Sequence, residues 1–178
     1  IINYADISRA IGVSQPTAKL YLEIAHGTFL WRTLPAYSLN ATKRVVRHPR
    51  GHLRDSGLVH HLLRIPDTDA LLVHPQCGSS SQSMVTEEIL RQFACLGKSV
   101  DAYHYRTGAG AEVDLVVEGD FGLVPLEIKF ARRIDARDLR PIRDFMREFN
   151  CPVGFVIHAG EEPRRLDHQL IAIPFHWL

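Results

Sequence analysis

The chain has 178 residues, 46% hydrophobic and 23% charged, with a net charge of +1 and three cysteines. That profile excludes a disordered tract and a disulfide-stapled secreted mini-protein, and no apolar run reaches the roughly 18 residues of a membrane helix. The near-neutral total hides an asymmetry: residues 1–66 hold nine Lys/Arg against three Asp/Glu, and residues 67–178 hold twelve against seventeen. A basic front module and an acidic back module are expected, with different partners. Cys77, Cys95 and Cys151 fit no zinc or redox spacing and are read as reduced thiols of a cytoplasmic protein. His48 and His52 are separated by Pro49 and Gly51, so they are not read as metal ligands. The first residues carry no signal-peptide pattern and the first methionine is Met84, so the expectation is a piece of a longer protein.

In chain order, "YADISRAIGVSQPTAKLYLEIA" predicts a helix, a tight turn at Gly12 and a second helix capped by Ser14 with Pro16 in its first turn. This is the pattern of a helix-turn-helix. "TFLWRTLPAY" and "KRVVRHP" predict two short strands, a wing. Gln15, Thr17 and Lys19 would then face a DNA groove, with Lys43, Arg44, Arg47, Arg50 and Arg54 as a basic stripe for phosphates. The alternative is a winged helix that serves packing or protein contact, since its second helix carries the single basic residue Lys19. Residues 52–65 predict a short strand and a helix capped by Asp55 or Ser56. Residues 66–82 are rich in turn formers and mark the seam, giving modules 1–66 and 67–178.

The back module predicts α/β structure with a mixed sheet. "QSMVTEEILRQFACLG" is a helix ended by Gly97, and "VDAYHYR" is a strand. "DLRPIRDFMREF" is an amphipathic helix starting near Arg140, "CPVGFVIHAG" a buried strand, and "QLIAIPFHWL" an edge strand. Between them, "GAEVDLVVEGDFGLVPLEIKF" reads as a hairpin with a two-residue turn at Asp120-Phe121. Alternation puts Val113, Leu115 and Val117 on one face, and the register sets Asp114 across from Glu127 and Glu112 across from Lys129. Facing carboxylates repel unless a positive group lies between them, either Lys129 or a divalent metal. Asp114 followed by Glu127-x-Lys129 is the acidic-strand arrangement of metal-dependent phosphodiesterases. The carboxylates would hold Mg²⁺, and the lysine would orient water or stabilise phosphate charge. A solvated charged face on an ordinary hairpin is the competing explanation. "LGKS" at 96–99 lacks the first glycine of a phosphate loop and follows a helix, so it is set aside.

The ordered set "ISRAIGVSQPTAKLYLEIAHGTFLWRTLPAY", "KRVVRHPRGHLRDSGL", "YRTGAGAEVDLVV" and "PLEIKF" resembles the C-terminal half of prokaryotic AAA-type ATPases that carry a C-terminal domain of unknown function. The resemblance implies a winged helix followed by a restriction-endonuclease-like, PD-(D/E)XK fold, and an ATPase domain upstream that would hold the ATP. It maps the site onto Asp114, Glu127 and Lys129, with Arg106 before the site strand. One departure is Gly78-Ser-Ser-Ser-Gln82, where the family pattern ends in glutamate; Gln82 binds a hard cation more weakly than a carboxylate. Glu88 lies six residues further on, off the helical face of Gln82, and Glu87 five; the two are the acidic residues weighed as its replacement. The expected function is nucleic-acid engagement with metal-dependent phosphodiester hydrolysis. The alternative is an inactive nuclease-like scaffold that contacts a protein or regulates the ATPase.

Overall fold

The computed structural model describes residues 1–38 and 48–178. Helix α1 (Tyr4–Ile11) starts at Asn3, whose side chain accepts the Ala5 and Asp6 amides, and ends at Gly12 with φ 70°. Helix α2 (Gln15–Gly27) starts at Ser14, whose hydroxyl accepts the Thr17 amide. Both boundaries are local: a side-chain acceptor satisfies the first free amides, and glycine takes the left-handed exit.

Strands β1 (Trp31–Leu34) and β2 (Arg50–Leu53) pair antiparallel from Trp31↔Leu53 to Leu34↔Arg50. The second strand is therefore Arg50–Leu53; the expected "KRVVRHP" strand falls mostly on residues outside those described. Gly51 is required there, because a Cβ would lie 2.2 Å from Trp31 Cζ2. The rest of the first expected strand does something else. Ala36 forms a parallel bridge with His104, the Tyr37 amide donates to the His104 carbonyl at 2.7 Å, and the Tyr37 ring is buried against Tyr103, Phe145 and Phe149.

Helices α3 (Ser56–Leu62) and α4 (Thr68–Val73) are capped by Asp55 and Asp67. Helix α5 (Cys77–Cys95) follows. The expected irregular seam at 66–82 thus contains α4 and the first turns of α5, because Asp67 accepts the Ala70 amide and nucleates a turn that composition alone does not reveal.

Strands β3 (Asp101–Arg106), β4 (Glu112–Gly119), β5 (Gly122–Lys129), β6 (Gly154–His158), β7 (Arg164–Arg165) and β8 (Leu170–Pro174) form one mixed sheet in the order β3-β4-β5-β6-β8-β7. Pairs β3–β4, β4–β5 and β7–β8 are antiparallel; β5–β6 and β6–β8 are parallel. Helix α6 (Arg140–Glu148) connects β5 to β6. The final segment is shorter as a strand than expected: β8 stops at Pro174, Phe175–Trp177 form a 3₁₀ turn, and β8 is covered by β7.

The sheet is buried on both sides. On the α6 side, Leu139, Ile142, Phe145 and Met146 pack on Tyr105, Val113, Val116 and Val156. On the α5 side, Val85, Ile89 and Leu90 pack on Leu115, Val117, Leu126, Ile128 and Ile157. Burial of each such side chain contributes roughly 1.5–3 kcal/mol before ordering costs.

Val113 corrects the expected alternation, because it joins Val116 and not Leu115. The β3–β4 pairing steps from Tyr103↔Val116 to Tyr105↔Val113, leaving one extra residue on β4 at Asp114–Leu115. A bulge inserts that residue and shifts the faces of everything beyond it.

Gly51→Ala is expected to destabilise the chain by about 1–3 kcal/mol in urea unfolding, since the new methyl must displace the Trp31 ring. Trp31 fluorescence should shift with it, and an unchanged spectrum and midpoint would contradict the packing.

Candidate functional site

The hairpin ladder runs from Gly119↔Gly122 to Leu115↔Leu126. One more step would set Asp114 opposite Glu127, as the sequence predicted. At that step Asp114 Oδ2 accepts the Ile128 amide at 2.9 Å. A side chain thus takes a backbone donor within the bulged stretch of β4 and holds Asp114 at the mouth of the hairpin.

Glu127 and Lys129 lie two residues apart on β5 and pair at 2.7 Å through Glu127 Oε1. Glu127 Oε2 is buried and has no hydrogen-bond partner. Asp114 and Glu127 are 6% and 5% exposed, so both carboxylates bear a desolvation cost.

That cost sets the titration. Burial pushes the Glu127 carboxyl up to about 7, the charge of Asp114 adds to it, and Lys129 pulls in the other direction. Burial also raises Asp114, against the Ile128 amide and the charges of Arg50 and Lys129. For Lys129, burial favours the neutral amine, but the hydrogen bond and charge of Glu127 outweigh it and lift the pKa above the ordinary lysine value. Asp114, Glu127 and Lys129 therefore share one electrostatic neighbourhood.

A second group of contacts comes from the β1–β2 sheet. Arg50 of β2 donates to Asp114 Oδ1 at 3.3 Å and, through its other terminal nitrogen, to Gln82 Oε1. The Gln82 amide nitrogen donates to the same Asp114 oxygen at 2.9 Å.

About one and a half turns further along α5, Glu87 is 3% exposed and receives Arg32 Nε and Nη2, Arg54 Nε at 2.8 Å and His52 Nε2 at 3.0 Å. Burial alone would raise its pKa. The hydrogen bonds from His52, Arg32 and Arg54 overwhelm that and hold the carboxyl well below the ordinary range.

The sequence-predicted residues are thus sorted. Asp114, Glu127, Lys129 and Gln82 come together. Arg106 pairs with Glu112 on the neighbouring strand, and Glu88 pairs with Arg91 along α5. Gln15 and Lys19 are exposed on α2, Lys19 beside Glu23 at 3.7 Å, while the Thr17 hydroxyl is tied to Ser14 in the cap. Leu20, Tyr21 and Ile24 are also exposed on α2. Lys43, Arg44 and Arg47 lie outside the described residues.

Arg50 and Arg54, expected to serve a DNA stripe, correct that expectation by pointing into the chain's own carboxylates. Arg32 was not singled out, His52 was set aside as a metal ligand and Glu87 was weighed only as a replacement for Gln82; the one sequence signal for their contact was the opposite charge of the two halves of the chain. His158, the register partner of Lys129 on β6, is likewise buried with Nε2 unpartnered.

The donor set suits a hard cation in its chemistry. Asp114, Glu127 and Gln82 present oxygens, and the unpartnered Glu127 Oε2 is a buried acceptor without a donor. Two features weigh on the other side. Among the described residues no three His, Cys, Asp or Glu side chains converge on a metal-sized site, and Arg50 already engages Asp114.

Comparison with known proteins adds the following. Residues 77–178 match the family described as Domain of unknown function (DUF4143), and residues 1–69 match Domain of unknown function (DUF8612). The uncharacterized proteins Rv2008c of Mycobacterium tuberculosis and Mb2031c of Mycobacterium bovis are each 32% identical over 170 residues, covering 96% of this chain and 37% of the relative. The chain therefore spans little more than a third of the length of the curated relatives it matches. No solved structure gives a significant match. No helix among the described residues is long and apolar enough to cross a membrane.

Two outcomes follow from the buried charges. Glu87→Gln removes the charge that Arg32, His52 and Arg54 share and should cost about 3–5 kcal/mol in urea unfolding; a loss below about 1 kcal/mol would mean these contacts do not hold the β1–β2 sheet to α5.

For Glu127, the folded state keeps a proton that the unfolded state loses from about pH 4.5 upward, so ionisation weakens the fold between about 4.5 and 7. The stability of Glu127→Gln relative to the parent should rise by about 1–3 kcal/mol across that window and level off above it. A flat difference would contradict the raised pKa.

Proposed function

The chain belongs to the DUF4143 family, and from that premise we propose that it is the C-terminal part of a longer AAA-type ATPase, with a PD-(D/E)XK nuclease-like module that engages DNA and hydrolyses phosphodiesters with Mg²⁺. The observation that carries this reading is the buried Asp114–Glu127–Lys129 group, in which Glu127 Oε2 has no partner. A cell does not ordinarily maintain two buried carboxylates and a lysine at one sheet end for stability, because each is expensive to desolvate.

In this reading Asp114 and Glu127 hold the cation, with Gln82 Oε1 as a weaker oxygen. When bound, Mg²⁺ would polarise the phosphate and lower the pKa of a water. Lys129, held charged by Glu127, would present its ammonium to phosphate oxygens as negative charge builds. The bulge at Asp114–Leu115 and the Ile128 amide fix Asp114 before any substrate arrives, which is the preorganisation such a site requires. The ATP would belong to a domain outside this chain. Gln15, Thr17 and Lys19 of α2, together with Lys43, Arg44 and Arg47, would supply further DNA contacts.

A second reading has its own observation. Asp114 is engaged by Arg50 and Gln82, and the outward side of α2 exposes Leu20, Tyr21 and Ile24. A filled acidic site and an apolar helix face suit an inactive nuclease-like scaffold that contacts a protein or the upstream ATPase domain.

The two readings separate in one assay on end-labelled DNA with Mn²⁺ or Mg²⁺. The hydrolytic reading expects cation-dependent cleavage that falls at least about 100-fold in Asp114→Asn and Lys129→Ala, in line with loss of a group acting on the transition state. Equal traces of cleavage in parent and variants, or none at any cation concentration, would leave the scaffold.

A further inference from the structure

We propose that Arg50 is the specificity-determining residue of the acidic pocket: from the N-terminal module it fills the position at Asp114 that a divalent cation would take, so the pocket holds either the arginine or a cation. The inference rests on the reading of Asp114 and Glu127 as a cation site and adds the residue that controls entry to it.

The geometry is specific. The two terminal nitrogens of Arg50 reach Asp114 Oδ1 and Gln82 Oε1, and the Gln82 amide closes the triangle by donating to Asp114. A fork of two parallel donors fits such a pair of oxygens better than a lysine would.

Charge counting gives the exclusion. Asp114 and Glu127 supply at most two negative charges, and Lys129 and Arg50 supply two positive ones. A divalent cation added to that set would face two positive groups at short range inside a pocket with little water to screen them. One of the two must withdraw. Lys129 is anchored by Glu127 from its own strand, two residues away, whereas Arg50 arrives on the two-stranded β1–β2 unit from another module.

Arg50 also has somewhere to go. It lines a cavity of about 160 Å³ together with His104, Arg106 and Glu112. Glu112 offers the withdrawn guanidinium a second carboxylate, now shared with Arg106. Gln82 supports Arg50 in this position: its amide nitrogen donates to Asp114 and its Oε1 accepts Arg50, so that oxygen is open to a cation only once Arg50 has left.

The exchange has a consequence for the modules. Because Arg50 leaves Asp114 when a cation enters, the cation loosens β2 while the Glu87 clamp on Arg32, His52 and Arg54 keeps the modules together. Cation binding and the seating of the wing are then linked, and each opposes the other by the same factor.

The test is Mn²⁺ titration of the full chain by isothermal calorimetry at fixed ionic strength, comparing the parent, Arg50→Ala and Asp114→Asn. Hydrogen exchange of the β1–β2 amides is followed in the parent with and without Mn²⁺. Arg50→Ala should bind Mn²⁺ at least about tenfold tighter than the parent, Asp114→Asn should lose binding, and saturating Mn²⁺ should speed exchange in β2. Should Arg50→Ala fail to fold, Arg50→Gln, which keeps a polar side chain, and exchange in the parent decide the matter. Equal Mn²⁺ affinity in parent and Arg50→Ala, with unchanged β2 exchange, overturns the exclusion by Arg50 and leaves the cation site standing. Absence of Mn²⁺ binding in both overturns the exclusion and the cation reading together.

Discussion

Glu87 carries a full charge in a place with almost no access to water, and three side chains on or beside β1 and β2 surround it. A buried carboxylate of this kind is tolerated only when every oxygen is met by a strong donor. Arg32, His52 and Arg54 meet them, and they sit on or just after the two strands of one small sheet. Their shared obligation fixes how that sheet lies against α5. Arg50, at the start of the second strand, is carried along by the same docking and delivered to Asp114 and Gln82. The geometry of the acidic pocket is therefore set partly by a charge about one and a half turns along α5 from Gln82.

The pocket is built where two kinds of backbone irregularity meet. The bulge on β4 moves Asp114 out of the regular alternation, and the hairpin ladder gives way there to a bond from the Ile128 amide to the Asp114 carboxylate. On β5, ordinary period-two alternation places Glu127 and Lys129 on one face and Leu126 and Ile128, which are packed under α5, on the other. The result is a group with near-balanced charge and one unsatisfied oxygen. Such groups are costly to the fold and are the places where a protein's chemistry is most often found.

Much of this was legible in the chain itself. Ser14 and Asp55 announce helix starts, and Gly12 announces a stop, because capping is a matter of three or four neighbouring residues. The Asp120-Phe121 turn and the pairing it imposes were also readable, and with them the approach of Asp114 to Glu127. Helix α6 was marked by Leu139, Ile142, Phe145 and Met146 at helical spacing, with Pro141 in its first turn. The basic and acidic halves were plain from composition. Their meaning was not: a stripe containing Arg50 and Arg54 looks the same in sequence whether it faces phosphates or the chain's own glutamate.

The sequence by itself determined where the capped helices α1, α2 and α3 begin, which strands make the hairpin, and that an aspartate, a glutamate and a lysine would converge at its mouth. These follow from interactions spanning a few residues or one tight turn. Only the tertiary structure decided that Val113 changes sides, that Tyr37 enters the core under α6, that Glu87 binds the β1–β2 sheet to α5, and that Arg50 engages Asp114. Each of those joins residues tens of positions apart, Arg50 and Asp114 being 64 apart. Contacts at that range are chosen by which arrangement leaves the fewest buried charges unmet and the least apolar surface wet, a property of the folded whole.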